Sequence, residues 1–191
     1  LHGGAGGPTD PDALAALAAT LIRIAVLPLR AQLGLLFLRL VSEPGLQTRL
    51  RARPRLIAGT VEESLRLDGA MVRLDRTAVR SAPQHGHFVQ AGDEIVVDPI
   101  AANHDDFQFV DAETFRCERT DNPHLAFGLG PWRCIGAHLA RRVLLVVLAE
   151  WLLVMPPTRL GGPVEIGSGQ MDEGVFRAPL TLELRWGTEA L

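Results

Sequence analysis

The chain has 191 residues, 47% of them hydrophobic and 21% charged, with a formal net charge of −3. That supplies enough apolar side chain for one sizeable core and no basic excess of the kind that binds nucleic acid. There is no secretory leader pattern at the start, and no uncharged apolar run reaches about 18 residues, because Arg23 interrupts the first candidate and Glu150 the second. A soluble, cytoplasmic protein with no membrane partner is the reading.

The first residue is Leu1 rather than methionine, which points to a piece of a longer chain. Residues 1–12 are rich in Gly, Pro and Asp and read as a linker or loop running into a helix start, with Thr9, Asp10 or Asp12 as its cap. The GGAGG string is no phosphate loop, since no strand precedes it and no Lys-Ser/Thr follows. From Ala13 to Val41 the residues are apolar nearly all round a helix, which predicts a central, buried one. Pro28 in its middle predicts a kink or break. Pro44-Gly45 ends that segment, a short helix is expected over 46–52, and another from about Pro54 to Leu67.

After Asp68-Gly69, MVRLDRTAV and EIVVDPI alternate as strands do, with AGD as a turn. His85-Gly86-His87 reads as a turn before a strand, not a metal pair. Residues 101–126 are polar and aperiodic, an irregular loop of a length that signals function. Helix returns from about Ala137 to Met155, apolar nearly all round after Arg142, and the tail carries short strands in VEIG, GVFRA and LTLELRW. The fold class is mainly α with a minor β part. Helices as apolar as those at 13–41 and 143–155 need cover, and a chain that leaves them bare is expected to aggregate or to need a partner.

Cys117 and Cys134 form no disulfide framework, and a reducing compartment suits them, although a single bridge stays open. Cys134 lies in FGLGPWRCIGAHLAR, residues 127–141. Gly128 and Gly130 let the backbone turn tightly and approach a flat object, and Gly136 does the same just past the cysteine. The cysteine precedes a helix N-terminus, with Arg133 beside it, a setting that favours negative charge on sulfur. Such a thiolate suits nucleophilic chemistry or metal ligation. No local base supports the first, and zinc wants several Cys or His ligands. One thiolate as the sole protein ligand is what haem iron can use, because the porphyrin supplies four nitrogens.

FGLGPWRCIGAHLAR resembles the haem-binding signature F-G-x-G-x-x-x-C-x-G-x-x-L-A-R of the cytochrome P450 haem-thiolate monooxygenases, of the soluble bacterial type. The match at so many fixed positions is highly specific. The resemblance implies that Cys134 is the axial ligand of the iron of haem b, with Phe127, Gly128, Gly130 and Gly136 shaping its cradle. VEESLRLDG is similar to the family's helix with a buried Glu-Arg pair, here Glu63 and Arg66. Arg119 in ETFRCER is placed like the third member of that cluster, although the family's usual arginine just before Phe115 is Thr114. AANHDDFQFVDAETF and DNPHLAFG resemble the family's lead-in to the haem loop. Arg76 in LDRTAV stands where the family supplies an arginine to a haem propionate.

The resemblance covers nearly the whole chain but only the C-terminal half of the family's fold, so residues 1–191 are expected to be one partial domain. It implies oxygen insertion into a small organic substrate, with electrons from a ferredoxin-type partner that docks near Arg133, Arg141 and Arg142. The remaining histidines, His104, His124 and His138, read as structural, loop-polar or solvent-facing.

Two departures matter. The family's central helix carries an acid-alcohol pair that relays protons for splitting dioxygen. Aligning RAQLGLLFLRLVSEP with that helix puts Leu27 and Pro28 at the pair, and neither can carry a proton. Thr20 is the one hydroxyl in the helix before Ser42, and no acid precedes it directly. Trp132 stands where a His or Arg is common, able to donate once from its indole but uncharged. These departures leave open a catalytically impaired accessory or binding protein, or a gene remnant.

Overall fold

The computed structural model describes residues 10–167 and 174–187, so the greater part of the expected leading loop, with Thr9, lies outside the described residues. Helix α1 spans Pro11–Ser42. Asp10 caps it, accepting from the backbone N–H of Asp12 at 3.3 Å and Ala13 at 3.4 Å, and Pro11 sits at the first position, where its missing N–H costs nothing. The helix therefore begins two residues earlier than the linker expected over 1–12 allows. It also runs through Pro28 without the break that proline predicts. It ends where Glu43 N–H bonds Arg39 O, and Gly45 takes a left-handed φ of 70° before the next helix.

The expectation that α1 is buried all round holds for one half only. Ala31, Gln32, Leu35, Leu36 and Leu40 are buried, all beyond Pro28. Leu14, Leu17, Leu21, Ile22, Ile24 and Val26 are each 46–63% exposed. The C-terminal half has neighbours on several sides, whereas residues 11–26 are exposed throughout. By length and apolarity this helix could cross a membrane, its charged residues being few enough to pass.

Helix α2 (Leu46–Ala52), a 3₁₀ turn at Pro54–Leu56 and helix α3 (Ile57–Leu67) follow. Helix α5 (Ala137–Val154) comes later in the chain and packs on α2 and α3. Ile57, Val61 and Leu65 recur every four residues on α3, as do Leu144, Leu148 and Leu152 on α5, so each helix offers one apolar stripe. These stripes meet Leu36, Leu40, Leu46, Leu50, Phe115 and Cys117 in the main core. Each fully buried large side chain there stabilises the fold by about 1.5–3 kcal/mol. Helix α5 is not buried all round as expected: Leu153 and Val154 point to solvent. Gln32 ties α1 to the end of α3, accepting from Ala70 N–H at 2.9 Å and donating to Ser64 O at 3.4 Å.

The β part is four two-stranded antiparallel sheets among the described residues. Strand β1 (Leu74–Thr77) pairs with β4 (Glu94–Val97), setting Arg76 opposite Ile95. Strands β2 (Ala82–Gln84) and β3 (His87–Val89) form a hairpin whose turn is His85-Gly86, with φ of 47° and 81°. Strand β5 (Thr158–Leu160) pairs with β8 (Leu184–Trp186), and β6 (Ile166–Gly167) with β7 (Ala178–Pro179). Strands β2, β3 and β5 have three residues each, too few for alternation to show in a sequence. The stretch expected to be loop from residue 101 begins inside a short helix, α4 (Pro99–Asn103), which Asp98 caps through Ala101 N–H at 2.9 Å. Residues 104–126 are irregular. The fold is mainly α with a minor β part.

Candidate functional site

Glu63 and Arg66 lie one turn apart on α3, and both side chains are wholly buried. Arg66 donates Nε and Nη2 to the two carboxylate oxygens at 3.0 and 2.8 Å. Arg119 Nε donates to both oxygens at 3.1 Å, and Arg116 N–H and Asn122 Nδ2 add bonds of 3.1 Å each. Burial pushes the Glu63 carboxyl up, but the Arg66 hydrogen bonds, Arg116 N–H and Arg119 outweigh it, so the group is held below the usual carboxylate range.

Arg66 turns its other face to the irregular segment. Nη1 bonds the carbonyls of Asn103 at 2.7 Å and Ala112 at 2.8 Å, and the guanidinium lies 5.0 Å from the Phe109 ring centre. A loop with no ladder of its own still has to satisfy its backbone groups, and α3 does much of that here. Asn103 continues the path: its Oδ1 accepts from Leu125 N–H at 2.7 Å, at the entry to the cysteine loop. Sequence reasoning missed Asn103, Asn122 and the Arg116 amide. Isolated asparagines in a polar loop carry no spacing signal, so nothing local could have found them.

The loop itself is held mainly by backbone bonds. Cys134 N–H bonds Phe127 O at 2.8 Å, and Gly128 N–H bonds Leu125 O at 2.9 Å. Gly128 and Gly130 have φ of 68° and 67°, so glycine is required at both by backbone conformation. Gly136 differs, with an ordinary φ of −83°. Residues 130–132 form a 3₁₀ turn, and α5 starts at Ala137 with no side chain capping it. Cys134 is exposed and not in a disulfide, while Cys117 is buried. Leu129, Trp132 and Ile135, on the same loop, are 76%, 80% and 96% exposed, an apolar collar for the loop as a whole.

Arg76 is exposed on β1, its Nη1 donating to Asp75 O at 2.8 Å. Leu27 packs on the small cluster of Ala31, Leu35, Ala70 and Ala178, and Pro28 lies inside the unbroken α1. Thr20 Oγ1 donates to Ala16 O, occupied on its own helix. His104 bridges Glu113 and Leu67 O, and His124 is buried against Glu62. His138 is exposed. Arg141 is bound to Glu62 at 2.7 Å, so the basic group expected with Arg133 and Arg142 has one member already paired. Glu62 is a residue sequence reasoning passed over. Burial raises its carboxyl, and the hydrogen bonds from His124 and Arg141 outweigh that and lower it to about 2.

The donor set can be tested against an iron porphyrin. The sulfur is accessible, and no group of three His, Cys, Asp or Glu able to hold a metal occurs among the described residues. A group bound there would have to bring its other donors with it. A Cβ built on Gly130 would meet nothing within 4 Å, and one on Gly136 would meet only the Cys134 Sγ, at 3.8 Å. Open space at Gly130, the sulfur beside Gly136 and exposed apolar side chains on the same loop are compatible with a flat, apolar ligand.

The cytochrome P450 family model matches residues 41–154, which takes in all of α2 through α5 and the whole cysteine loop. The chain belongs to the cytochrome P450 family. Among curated proteins it is 38% identical over 149 residues to the mycinamicin IV hydroxylase/epoxidase of Micromonospora griseorubida, covering 77% of this chain and 37% of that protein. It is 32% identical over 181 residues to the vitamin D3 dihydroxylase of Streptomyces griseolus, covering 93% of this chain and 45% of the relative. The solved structure of the mixed-function P450 MycG superposes with a TM-score of 0.82 at 33% identity, over 93% of this chain and 45% of that one. The chain thus spans about two fifths of the length of the curated P450 relatives it matches. P450s are haem-thiolate proteins, and the fold seen here is that of the matching part of a P450.

Proposed function

We propose that this chain is the haem-bearing, C-terminal half of a soluble bacterial P450 monooxygenase fold, with Cys134 as the axial ligand of haem b iron. The observation that carries the reading is the cysteine loop: an exposed Cys134 outside any disulfide, fixed through its own N–H to Phe127 O, in a loop that also exposes Leu129, Trp132 and Ile135. When bound, the haem would supply the redox centre at which dioxygen, two electrons and two protons give one oxygen atom to a small organic substrate and the other to water. The chain's own residues do the rest. Phe127, Gly128 and Gly130 shape the turn that presents the sulfur, and Gly136 leaves room beside it. Arg76 and the Trp132 indole are the donors for the propionates. Glu63, Arg66 and Arg119 hold the approach segment still. Arg133 in the loop and Arg142 on α5, which bind no carboxylate among the described residues, give the landing side for a ferredoxin-type electron donor in the cytoplasm.

The exposed apolar residues of α1 are the surface that further segments of a full-length relative would cover. A monodisperse, cooperatively melting chain at micromolar concentration would contradict this.

A second reading has its own observation. Leu27 and Pro28 offer no acid or hydroxyl, so a relative that binds haem but oxygenates poorly, serving as an accessory or binding module, fits α1 better than a competent monooxygenase does. Restoring the pair as Leu27→Asp with Pro28→Thr should then raise product formation; no gain would remove the reason for the second reading.

The test of the main reading is the absorption spectrum of the chain supplied with haem, reduced and exposed to carbon monoxide. A red-shifted, thiolate-type Soret band that disappears in Cys134→Ala is the expected result. The same band persisting in Cys134→Ala would overturn the ligand assignment.

A further inference from the structure

Glu62 stands next to Glu63 on α3 but faces a different set of partners. Its Oε1 accepts from Arg141 Nε at 2.7 Å and its Oε2 pairs with His124 Nε2 at 3.0 Å. His124 Nδ1 accepts from Ala126 N–H at 3.3 Å, so Nε2 carries the hydrogen and donates to Glu62. The His124 side chain is 1% exposed, so this polar ring is buried with both nitrogens occupied. Both partners also meet one aromatic ring. The Arg141 guanidinium carbon is 4.6 Å from the Phe127 ring centre, and the His124 ring centre is 6.2 Å away at a 47° tilt.

Phe127 is the residue whose carbonyl takes the Cys134 N–H. An unbroken run of contacts therefore leads from Glu62 through Arg141 and His124 to Phe127 and on to the cysteine backbone. The topology adds a second point. His124 precedes the cysteine loop and Arg141 follows it on α5, so one carboxylate bridges both ends of residues 125–140. Joining the ends of a loop removes conformational freedom from everything between them, and charge-assisted bonds of this kind are the strong ones.

We infer that Glu62, His124 and Arg141 form a clamp on Phe127 that fixes the position of Cys134, making them positioning residues for the sulfur. The clamp is separate from the Glu63, Arg66 and Arg119 cluster, which holds the approach segment. Its consequence for an iron ligand rests on the function proposed above; its effect on the loop does not.

Amide hydrogen exchange of the full 191-residue chain tests it, read in peptides over residues 127–136 and, as a control, residues 31–50. In Glu62→Gln and in Arg141→Ala, exchange in the cysteine loop should rise about tenfold, or about 1.4 kcal/mol of local opening free energy, while the control stays unchanged. The double variant should open the loop no further than the stronger single one, because both act through Phe127. Arg141→Lys keeps the charge but loses the planar stacking group, and should fall between wild type and Arg141→Ala. Unchanged exchange in the loop, or an equal rise in loop and control, would overturn the clamp. Glu62→Gln, which preserves side-chain shape, decides the matter if Arg141→Ala fails to fold. A second readout uses added haem: Glu62→Gln should lower the thiolate-type share of the reduced carbonyl complex severalfold in favour of the neutral-thiol type. A wild-type chain that gives no thiolate-type band would defeat the haem reading and leave the exchange result standing.

Discussion

Two irregular stretches lean on helix α3, and they are held in opposite ways. The segment from Asn103 to Asn122 is pinned by fully buried charge: Glu63 and Arg66 have no exposed surface, and their bonds reach backbone groups of Asn103, the last residue of α4, and of three loop residues beyond it. The cysteine loop has few bonds, mostly backbone to backbone, and turns Leu129, Trp132, Cys134 and Ile135 outward. The first stretch puts most of its polar groups into bonds with α3, although Asn103 Nδ2 and Asn122 Oδ1 have no partner among the described residues, and it exposes Phe107 and Val110 but no thiol. The second has left an apolar collar and a sulfur free. Stability and binding capacity are thus divided between neighbouring loops on one scaffold.

The sharpest way to break that contrast is at Glu63. Glu63→Ala leaves Arg66 buried without its counter-ion and removes the anion that Arg119 and Asn122 share. Removing one partner of a buried pair costs about 3–5 kcal/mol, much of it from the stranded charge. Guanidinium unfolding of the full chain should show that loss. A change under about 1 kcal/mol would mean the pair is far better hydrated than its burial indicates.

Next in size is Gly59, on the same helix. A Cβ at this position would sit inside the carbonyl of Cys117, and backbone on both sides leaves no flexible group to yield. Gly59→Ala should destabilise the chain by about 3 kcal/mol, despite improving helix propensity. A stabilised variant in thermal melts would show that α3 can shift away from the Cys117 segment.

Acid should separate the two regions more gently. Glu62 and Glu63 both have carboxyls held below the ordinary value, Glu62 at about 2. A depressed native value means the unfolded state binds protons first as pH falls. The stabilisation is therefore complete above about pH 4.5, the ordinary value for glutamate, and is lost between there and about pH 2. Unfolding midpoints measured down that window should fall steadily, and Glu62→Gln should flatten the slope. A midpoint independent of pH below 4.5 would contradict the sign.

Much of this was legible in the sequence, and what was not has physical reasons. Glycines around Cys134 announce a tight turn by themselves, whereas the spacing of Glu63 and Arg66 only puts them on one helical face, and it took the family resemblance to mark that pair as buried. Their shared partners could not be named, because Asn103, Asn122 and the Arg116 amide come together only through long-range folding. Glu62 was hidden by its neighbour: two adjacent glutamates on a polar helix look alike until His124 and Arg141, 62 and 79 residues away, are seen to converge on one of them. Helix α1 misled in the other direction. Its all-round apolar pattern says what the helix needs around it, not what is there, and residues 11–26 are exposed among the described residues.

The smallest effect on stability should come from the residue with the most chemistry. Cys117 is 3% exposed in the main core, and its sulfur lies 3.3 Å from Arg49 Nη2. Cys117→Ser puts a hydroxyl among leucines, and Arg49 can satisfy only part of its bonding capacity, so a loss of about 1–2 kcal/mol is expected. Cys134 is exposed, and its part in the loop is played by its backbone N–H, which serine keeps. Cys134→Ser should therefore shift stability by less than about 0.5 kcal/mol while abolishing the thiolate-type carbonyl spectrum. A side chain that can be changed without cost to the fold is one the fold does not need for itself. If Cys134→Ser instead destabilised the haem-free chain as much as Cys117→Ser, the sulfur would be part of the packing, and the division between a stability region and a binding region would fail at its centre.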